Sequence, residues 1–585
     1  MWTRPARGGE ERPLTRDGEE DRPYVAGAFV PGVLLGKLGI PHLPPAAAWS
    51  PDSSRVLTHR TDLRGVRETY LVEAAPADGG APRPLRQRYA YPGDERMPLA
   101  ELVVLDVATG EAVLAANEPL PVPLLSPLTT GWAWWAEDGS AAYFLRRSRD
   151  LRTLSLHRLD PASGEVRTVV SESGATRVEP GQEPGRPPMV RVLGGGDEVL
   201  WYSQRDGWGH LYLYDARTGE PRRQVTSGPW AVQEIVHVDE ERRVVRFLAA
   251  GLVEEDPYRR TLCSAGLDGG EVVRITGDAL DHVVVAAPDG RYVLDAASTT
   301  DTPPVSTVRD WDGRVLVELE RADVSALREA GWTPPERFRV KAADGVTDVL
   351  GLLHLPPDFD PSRRYPVLDH PYPGPHVRRV SPSFDQGFFG CDAEAAAALG
   401  FVVMAMDGRG TPGRDKAFHD ASFGRLGDAG GLDDHVAALR QLAAARPWMD
   451  LDRVGVCEAG NHDNRCYHLW WAETYDGPDP EAYARSSNLG IADRLRGRLL
   501  LVHGGMDDNV HPHQTLRLAE RLIAADKDFE LLIVPGAEHV FLGYEHYVTR
   551  RRWDFLVRHL MGAEPPEYRL SPVPPDAGTL AGVFG

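Results

Sequence analysis

Residues 498–512 read RLLLVHGGMDDNVHP, and residues 530–541 read ELLIVPGAEHVF. Each stretch begins with a short, almost wholly apolar segment that ends in glycine and then turns polar, and a helical segment from about Gln514 to Ala525 separates them. Short apolar strands separated by helices are typical of a parallel sheet that is covered on both faces. Reactive side chains in such sheets lie beyond the carboxyl ends of the strands. We therefore predict that the acids and the histidine that follow these strands share one edge of a sheet.

The alternation of strands and helices extends upstream to about Glu336. Its further segments are YPVL (365–368), GFVVMAM (400–406), a helix over 432–445 and RVGV (453–456). This order is typical of α/β folds with a largely parallel sheet. We predict an α/β-hydrolase domain over residues 336–570, followed by a C-terminal tail over residues 571–585.

Two acids and one histidine are the candidate catalytic residues at this edge. Asp507 and Asp508 follow the first strand and His539 follows the second, which is the second half of the Ser…Asp…His order of α/β-hydrolases. The acid would fix the tautomer of the imidazole and stabilise the imidazolium. We assign this role to Asp507 because it stands three residues before Val510, where the turn should present it, and we expect Asp508 to cap or solvate the turn. The alternative for His539 is an ordinary surface histidine.

One phrase recurs along the N-terminal half, where an alternating apolar strand runs into Asp plus Gly and then into a second strand. Copies read LVVLDVATGE, LHRLDPASGE and LYLYDARTGE, and the turn glycines at 110, 164, 219 and 270 are 54, 55 and 51 residues apart. Asp and Gly tolerate the positive φ of a tight hairpin turn. A hairpin repeat of this length predicts a β-propeller over residues 1–335, with a β-sandwich as the alternative. Because the repeat begins mid-blade at Met1, we expect the propeller to be incomplete.

Composition excludes several classes of function. The chain has 585 residues and a formal charge of −21, so its surface does not favour nucleic acid or anionic membranes. Four cysteines make no disulfide framework, and no apolar leader or run of 18 apolar residues occurs. We therefore expect a cytoplasmic protein without a membrane segment. Neither a zinc-type Cys/His spacing nor a Gly-rich phosphate loop is present, so we expect no metal and no cofactor.

Long phrases of the C-terminal half resemble the prolyl oligopeptidase family, on its dipeptidyl peptidase IV branch. They are YPVLDHPYPGP (365–375), MDGRGTPGRDKAFHDASFGRLGD (406–428), AGNHDNRCYHLWWAETYDG (459–477), HGGMDDNVHPHQ (503–514) and PGAEHVF (535–541). WSPDS, RYAYPGDERMPLAEL and RDGWGHLYLYD resemble the propeller of that branch. The resemblance covers nearly the whole chain. It implies a serine peptidase that cleaves short peptides, often after proline, under a propeller that admits only small substrates.

The resemblance also implies roles for four side chains. Tyr372 would supply a hydroxyl of the oxyanion hole, and Asn509 would hold a carbonyl of the substrate. Trp471 and Tyr475 would line an apolar slot for the residue before the scissile bond, suited to a proline ring. Without the resemblance, two aromatic residues four apart on a helix indicate ordinary core packing.

The family's nucleophile elbow, G-x-S-x-G-G, has no counterpart here. The sequence LDRVGV (451–456) is followed at once by CEAGNHDNR, and by comparison with the family layout roughly 25 to 35 residues are missing, namely the elbow, its helix and the next strand. Ser422 lies in DASFG, with Asp420 where the elbow needs glycine. Cys457, in G-x-C-x-A-G, is a competent type of nucleophile beside a histidine. The alternative is that Cys457 is a buried cysteine of the strand. An elbow at Cys457 would come about three residues early and would shorten the strand by ~10 Å.

A second departure concerns specificity. Members of this branch bind the free amine of the substrate with a Glu pair about ten residues before WSP, whereas VLLGKLGIPHLPPAAAW (33–49) contains no acid. Release of dipeptides from a free N-terminus is therefore doubtful.

Three functions stay open for this sequence. The chain is a serine peptidase that has lost its nucleophile, or a non-catalytic protein that binds peptides, or an esterase that depends on Cys457. In each case we expect small peptides as ligands and no nucleic acid or membrane partner, and a homodimer is a further expectation.

Overall fold

A computed structural model describes residues 1–24, 32–40, 46–121, 125–182, 186–371, 374–385, 393–428, 431–456, 460–477 and 479–572. Within these ranges the N-terminal half consists of antiparallel sheets, and the C-terminal half alternates strands with helices. The predicted fold class, a β-propeller followed by an α/β-hydrolase domain, is confirmed.

The chain starts with a two-stranded sheet of β1 (Trp2–Thr3) and β2 (Arg12–Pro13), followed by a short helix, α1 (Gly32–Lys37). In the described residues five blades follow, each with four antiparallel strands in line, and the sheet of the first blade has a fifth, short strand beside them. The first comprises β3 (Ala48–Trp49), β4 (Arg55–Asp62), a separate hairpin of β5 (Glu68–Glu73) and β6 (Arg83–Arg88), and then β7 (Leu99–Asp106), β8 (Ala112–Leu114) and the additional short β9 (Leu120–Pro121).

Each of the other four blades takes its strands in sequence order. The second holds β10 (Ala133–Trp135), β11 (Ala142–Arg147), β12 (Thr153–Leu159) and β13 (Val166–Ser173), and the third holds β14 (Val190–Leu193), β15 (Glu198–Ser203), β16 (His210–Asp215) and β17 (Pro221–Gln224). The fourth holds β18 (Ala231–Asp239), β19 (Val244–Ala250), β20 (Arg260–Gly266) and β21 (Val273–Arg274), and the fifth holds β22 (Asp281–Ala286), β23 (Val293–Ser298), β24 (Val305–Arg309) and β25 (Val315–Arg321).

The recurring Asp-x-x-x-Gly phrase forms the turn between the last two strands of a blade. In the second blade, Oδ1 of Asp160 accepts hydrogen bonds from the backbone N–H groups of Ala162 (2.8 Å) and Ser163 (2.9 Å). Gly164 has φ +78°, and a Cβ there would stand 2.3 Å from the carbonyl oxygen of Leu114, in the preceding blade. Glycine is therefore required both by the turn and by the close packing of successive blades.

A linker with one short helix, α2 (Ser325–Glu329), leads into a five-stranded sheet with the order β26–β27–β29–β28–β30. Its strands and the helices between them are β26 (Glu336–Lys341), β27 (Asp348–His354), β28 (Tyr365–Asp369), α3 (Ala393–Ala398), β29 (Val402–Asp407), α4 (Lys416–Asp420), α5 (Leu432–Ala445) and β30 (Met449–Val456). The chain then continues through α6 (Leu469–Asp476), α7 (Pro480–Ser486), β31 (Leu500–Gly504), α8 (His513–Ala524), β32 (Glu530–Val534) and α9 (Glu545–Leu556). Strands β28, β29 and β30 run parallel, whereas β27 is antiparallel to β29.

The sheet of the hydrolase half is in two pieces. Strands β31 and β32 pair with each other in parallel, and within the described residues no ladder joins them to β30. On β31, Leu501 is buried, but Leu500 and Val502 are only half-buried. By contrast, β29 is buried along its whole length, between β27 and β28. In the described part of the chain, the pair β31–β32 therefore has no strand on its β31 side of the kind that a continuous sheet would provide.

The propeller contacts the loop that follows β31. The amide of Gln87 donates to the carbonyl oxygen of Asp508 (3.1 Å), and the hydroxyl of Tyr89 donates to that of Asn509 (2.7 Å). A second contact is the ion pair of Arg149 and Glu473, in which Nε and Nη2 of Arg149 each lie 2.6 Å from a carboxylate oxygen. The first blade and the loop after β11 thus reach the same end of the hydrolase sheet. No helix in the described part of the chain is both long and apolar enough to span a membrane.

Candidate active site

Asp507 follows β31 in a tight loop that its own carboxylate holds together. Its Oδ1 accepts hydrogen bonds from the backbone N–H groups of Asn509 (3.0 Å) and Val510 (2.8 Å). Its Oδ2 accepts a hydrogen bond from Nδ1 of His539 (2.9 Å) and lies 3.4 Å from Nε2 of His503. The carboxylate is buried. The structure thus brings the predicted acid and histidine together and holds the acid in one orientation.

Burial and charge act on this pair in opposite directions. Burial alone would raise the pKa of the Asp507 carboxyl, but His539 and the hydrogen bond from His503 hold it well below its ordinary value. Burial likewise would lower the pKa of His539, but the charge and hydrogen bond of Asp507 raise it above its ordinary value. Asp507 would therefore stabilise the imidazolium that forms when His539 accepts a proton, which is the role of the acid in a hydrolase triad.

Asp508 faces the other way, toward α1. Its Oδ2 accepts a hydrogen bond from the backbone N–H of Val33 (3.0 Å), and burial raises the pKa of its carboxyl to about 6. Lys37, at the end of the same helix, forms an ion pair with Glu538, the residue before His539. Helix α1 therefore packs beside the candidate pair and contributes a lysine but no acid.

Trp471 and Tyr475 lie one turn apart on α6, with their ring centroids 5.2 Å apart and their planes at 65°. Nε1 of Trp471 donates to Nδ1 of His376 (3.2 Å), and the His376 ring also lies 6.5 Å from that of Tyr475. Tyr475 is buried and Trp471 is half-buried. The three rings form an aromatic cluster, and the ring of Tyr467 also packs against that of Trp471, with centroids 5.4 Å apart.

Arg177 joins the propeller to this cluster. Its guanidinium lies 5.3 Å above the ring of Tyr475, and its Nη2 donates to Oγ of Ser422 (2.5 Å) and to the carbonyl oxygen of His419 (3.1 Å). Ser422 is fully buried, and its own hydroxyl donates to the carbonyl of His419 (2.8 Å). This hydroxyl therefore serves packing at the domain interface and does not meet His539.

Asn509 is held by a second aromatic group. Its Oδ1 accepts a hydrogen bond from the hydroxyl of Tyr467 (3.0 Å), and its main-chain carbonyl accepts the bond from Tyr89 described above. Because the carbonyl end of the side-chain amide is occupied, the –NH₂ end is the part of Asn509 that is left to donate to a ligand.

Two of the candidate residues, Tyr372 and Cys457, lie outside the described residues. Of the serines that the structure describes in the hydrolase half, none hydrogen-bonds to His539. Four of their hydroxyls donate to Asp360, Asp385, Asp281 and the carbonyl of His419. Among the described residues Nε2 of His539, the nitrogen that would take a proton from a nucleophile, has no hydrogen-bond partner.

Several residues of the site were not predicted from the sequence. His503 is the penultimate residue of β31, within the quoted HGG phrase, so its proximity to Asp507 could have been inferred from strand geometry. Arg177 gave no such signal, because its partner Ser422 stands 245 residues further along the chain. The described residues contain no group of three or more His, Cys, Asp or Glu side chains that could hold a metal ion.

Comparison with known proteins identifies two family matches. Residues 43–304 match the dipeptidyl peptidase IV N-terminal region, and residues 388–457 and 453–563 match the prolyl oligopeptidase family. The second match is thus in two pieces that meet at residues 453–457.

Curated relatives and solved structures agree with these matches. A probable dipeptidyl-aminopeptidase B of Emericella nidulans is 26% identical over 92% of this chain and 63% of its own length. A probable dipeptidyl peptidase 4 of Aspergillus fumigatus is 26% identical over 82% of this chain and 66% of its own. The chain thus spans less than two thirds of the length of these relatives.

Two crystal structures share the fold. A putative dipeptidyl aminopeptidase IV from Bacteroides ovatus superimposes with a TM-score of 0.78 at 22% identity, covering 94% of this chain and 80% of the other. The dipeptidyl peptidase 4 of Porphyromonas gingivalis gives 0.76 at 23% identity, covering 94% and 79%.

Proposed function

The chain belongs to the prolyl oligopeptidase family of serine peptidases, on its dipeptidyl peptidase IV-like branch, and from that premise we propose that it binds short peptides beside Asp507 and His539 without cleaving them. The observation that carries this proposal concerns Nε2 of His539, which has no hydrogen-bond partner, serine or other, among the described residues. A general base accelerates acyl transfer only when a nucleophile lies within hydrogen-bond reach of it. We infer that relatives with the serine hydrolyse peptides, whereas this chain binds them without cleaving them.

Three observations support the loss of the nucleophile. The sequence passes from LDRVGV directly into CEAGNHDNR. The family match is in two pieces that meet at the same place, residues 453–457. No ladder joins β30 to β31 in the described part of the sheet, where an elbow, a helix and a strand would otherwise be inserted. A deletion of that passage accounts for all three.

The aromatic cluster supports binding of a peptide with proline or a similarly flat residue. Trp471 and Tyr475 present two rings 5.2 Å apart, and His376 fixes the indole through its N–H. Packing of a pyrrolidine ring against such faces is favourable because it buries apolar area without losing side-chain rotamers. The –NH₂ of Asn509 would donate to a carbonyl of the same peptide.

Lys37 of α1 affects how strongly the site would bind the free amine of a substrate. In this chain Lys37 stands beside Glu538, where it repels an ammonium group and compensates a nearby carboxylate. The free N-terminus of a peptide therefore gains little binding energy here, and we propose that the site does not select for it.

We also keep the cytoplasmic location as a proposal, which the free thiols of Cys263 and Cys466 support. The homodimer likewise stays a prediction.

The first test separates binding from cleavage. The purified chain is titrated with the dipeptide Ala-Pro by calorimetry and is incubated with an Ala-Pro chromogenic amide, a fluorophosphonate probe and iodoacetamide. We expect saturable binding, no turnover and no fluorophosphonate adduct. Trp471→Ala should weaken binding about tenfold or more, whereas Trp49→Ala, at an indole that is 53% exposed, should leave it unchanged.

Three other results would each contradict the proposal. A serine adduct with turnover that His539→Ala abolishes would reveal a working peptidase. Turnover that is blocked only by alkylation of Cys457 would establish the thiol-dependent esterase. Binding that is insensitive to Trp471→Ala would place the peptide elsewhere.

A further inference from the structure

A cavity of about 270 Å³ lies between the propeller, the linker and the hydrolase sheet. The propeller contributes Thr300 to its lining, and the linker contributes Leu327 and Trp332. Ligand sites occur preferentially at such domain junctions. An apolar cavity of about 150 Å³ holds one benzene ring, and this larger volume is therefore sufficient for two fused rings. None of the residues that line it belongs to the Asp507–His539 site.

One face of the hydrolase sheet forms part of the cavity wall. Leu352 on β27 stands opposite Ala405 on β29, and His354 follows Leu352 by two residues on the same strand. Because successive side chains of a strand point to opposite faces, Leu352 and His354 share one face, and all three residues line the cavity. Leu352 and Ala405 are buried, and His354 is half-buried. The sheet thus presents an apolar surface that carries one imidazole.

Two aromatic rings form another part of the wall. Trp332 and Phe384 both line the cavity and meet edge to face, with ring centroids 5.6 Å apart and planes at 67°. Nε1 of Trp332 donates to a carboxylate oxygen of Glu394 (3.0 Å), which holds the indole in one orientation. Aromatic rings pair favourably with further rings in stacked or edge-to-face arrangements. This wall is therefore suited to a flat, apolar ligand.

The charged side chains of the lining are engaged within the protein. Nη2 and Nε of Arg379 donate to Nδ1 (2.7 Å) and to the carbonyl oxygen of His370 (3.2 Å). Asp385 accepts a hydrogen bond from the hydroxyl of Ser381 (2.8 Å), and Glu394 accepts the bond from the indole. A charged ligand would compete with these interactions, whereas a neutral ligand leaves them intact.

His354 differs from these lining groups. Its imidazole nitrogens have no hydrogen-bond partner among the described residues. Burial, with the charges of Arg379 and His370, lowers the pKa of His354 to about 4, so its ring is neutral near pH 7. A neutral imidazole has one N–H donor and one acceptor nitrogen, and a hydroxyl group can bond to either because it both donates and accepts.

We propose that this cavity binds a neutral aromatic molecule of two fused rings that carries a hydroxyl group. The rings pack against Trp332, Phe384 and the sheet residues Leu352 and Ala405, and the hydroxyl bonds to His354. Burial of the rings supplies most of the binding free energy, and the bond to the imidazole fixes the orientation of the ligand. This site is separate from the peptide site proposed above and does not depend on it.

The test is calorimetric titration of the full chain with 2-naphthol. We expect one saturable site with a dissociation constant below about 1 mM. 2-Naphthoic acid has the same rings but is an anion at pH 7, and it should bind at least about tenfold more weakly. Phe384→Ala should weaken the binding of 2-naphthol about tenfold or more. Trp49→Ala also removes an aromatic side chain, but at an exposed position on the first blade, and it should have no effect.

Substitutions of His354 test the hydrogen bond separately from the walls of the cavity. His354→Leu keeps an apolar side chain but cannot bond to the hydroxyl, so it should weaken 2-naphthol about fivefold. His354→Gln restores a donor and an acceptor, and its affinity should lie within about twofold of that of the parent chain.

Four results would overturn the proposal. The first is the absence of saturable binding in the millimolar range, and the second is equal affinity for 2-naphthol and 2-naphthoic acid. The third is equal affinity of the parent chain and the Phe384→Ala variant, which decides the matter if the His354 variants do not fold. The fourth is loss of binding in Trp471→Ala with retention in Phe384→Ala, which would place 2-naphthol in the aromatic cluster of α6.

Discussion

At the scale of single residues, Asp507 shows how a buried carboxylate is held in one orientation. One of its oxygens takes two backbone N–H groups, and the other takes the imidazole of His539. Because the backbone N–H groups bind Oδ1, Oδ2 remains to accept the hydrogen bond from His539, and this bond is strengthened by the charge of the carboxylate. The pair is therefore poised for proton transfer even though the described residues supply no group to give up the proton.

The first prediction concerns the titration of His539. Its pKa is raised above the ordinary value because Asp507 outweighs burial. In Asp507→Asn the largest charge that raises this pKa is lost, so the pKa should fall by more than about one unit from the parent value. The measurement is a pH titration of the imidazole carbon–proton NMR signals, with the His539 signal identified by its loss in His539→Gln. The control is Asp289→Asn, on the fifth blade, and an unchanged titration in Asp507→Asn would contradict the assignment.

The second prediction concerns Arg177, which reaches from the propeller to α4 and α6. Arg177→Met would keep much of the buried volume but would remove the bonds to Ser422 and His419 and the contact with the Tyr475 ring. We expect a loss of about 2 to 4 kcal/mol in unfolding free energy and weaker binding of Ala-Pro. Denaturant unfolding and calorimetry measure the two effects. Arg291→Met is the matched exposed control, and equal stability of both variants would contradict the role of Arg177 as an interdomain tie.

At the scale of elements, the fifth blade contains a buried charged group that makes its stability depend on pH. His282 lies between Asp278 (2.9 Å from Nε2) and Asp295 (2.9 Å from Nδ1), and Arg309 also pairs with Asp295 (2.7 Å). Burial alone would lower the pKa of His282, but the hydrogen bonds and charges of the two aspartates raise it to about 9. The folded state therefore holds this proton more tightly than the unfolded chain does.

The third prediction follows from that sign. The stabilisation by His282 is fully present below about pH 6.5, the unfolded value, and is lost as the pH rises through about 9. The change amounts to about 3 kcal/mol, so the melting temperature of the parent chain should fall relative to His282→Gln between pH 6 and pH 9.5. His157→Gln is the control, because burial holds the pKa of His157 to about 4 and it stays neutral over this range. Parallel pH profiles of parent and His282→Gln would refute the prediction.

The fourth prediction concerns the divided hydrolase sheet. The backbone N–H of Gly505 donates to the carbonyl oxygen of Val534 (2.8 Å) on the β32 side. By alternation, the N–H groups of Leu500, Val502 and Gly504 point to the other side, where the described residues place no strand. Hydrogen exchange over residues 498–504 should therefore be at least about a hundredfold faster than over residues 402–407 of β29, which has ladders on both sides. Equal protection of the two segments would mean that β31 has found a partner strand.

Sequence patterns predict those features that local chemistry enforces. The hairpin turns are foreseeable because Asp and Gly are required at each of them, and glycines 110, 164 and 219 all have positive φ. The two strands that precede Asp507 and His539 are foreseeable because their apolar runs are short and end in glycine. The contact of Arg177 with Ser422 is not foreseeable, because the two residues come from segments far apart in sequence that only the packing of two domains brings together.

At the scale of the whole molecule, the propeller and the hydrolase half act on the site together. Gln87 and Tyr89 bind the loop of Asp508 and Asn509, and Arg149 binds Glu473 on the helix that carries the aromatic cluster. The loop after β31 and helix α6 of the hydrolase half are thus held by propeller residues. These contacts can preserve the geometry of the site even where the sheet beneath it is divided.

The fifth prediction is that Asp507 and His539 can still support catalysis once a nucleophilic serine is restored. A strand-helix-strand passage of roughly 25 to 35 residues with the G-x-S-x-G-G elbow would be inserted after Val456. It should join β30 to β31, slow hydrogen exchange over residues 498–504, and give a fluorophosphonate adduct on the new serine. Because Asp507 already holds His539 in the correct tautomer, hydrolysis of the Ala-Pro amide should appear at least about a hundredfold above the parent chain. His539→Ala and replacement of the new serine by alanine should each abolish it. An insertion variant that gains the protected β31 but neither adduct nor turnover would show that the loss extends beyond the nucleophile.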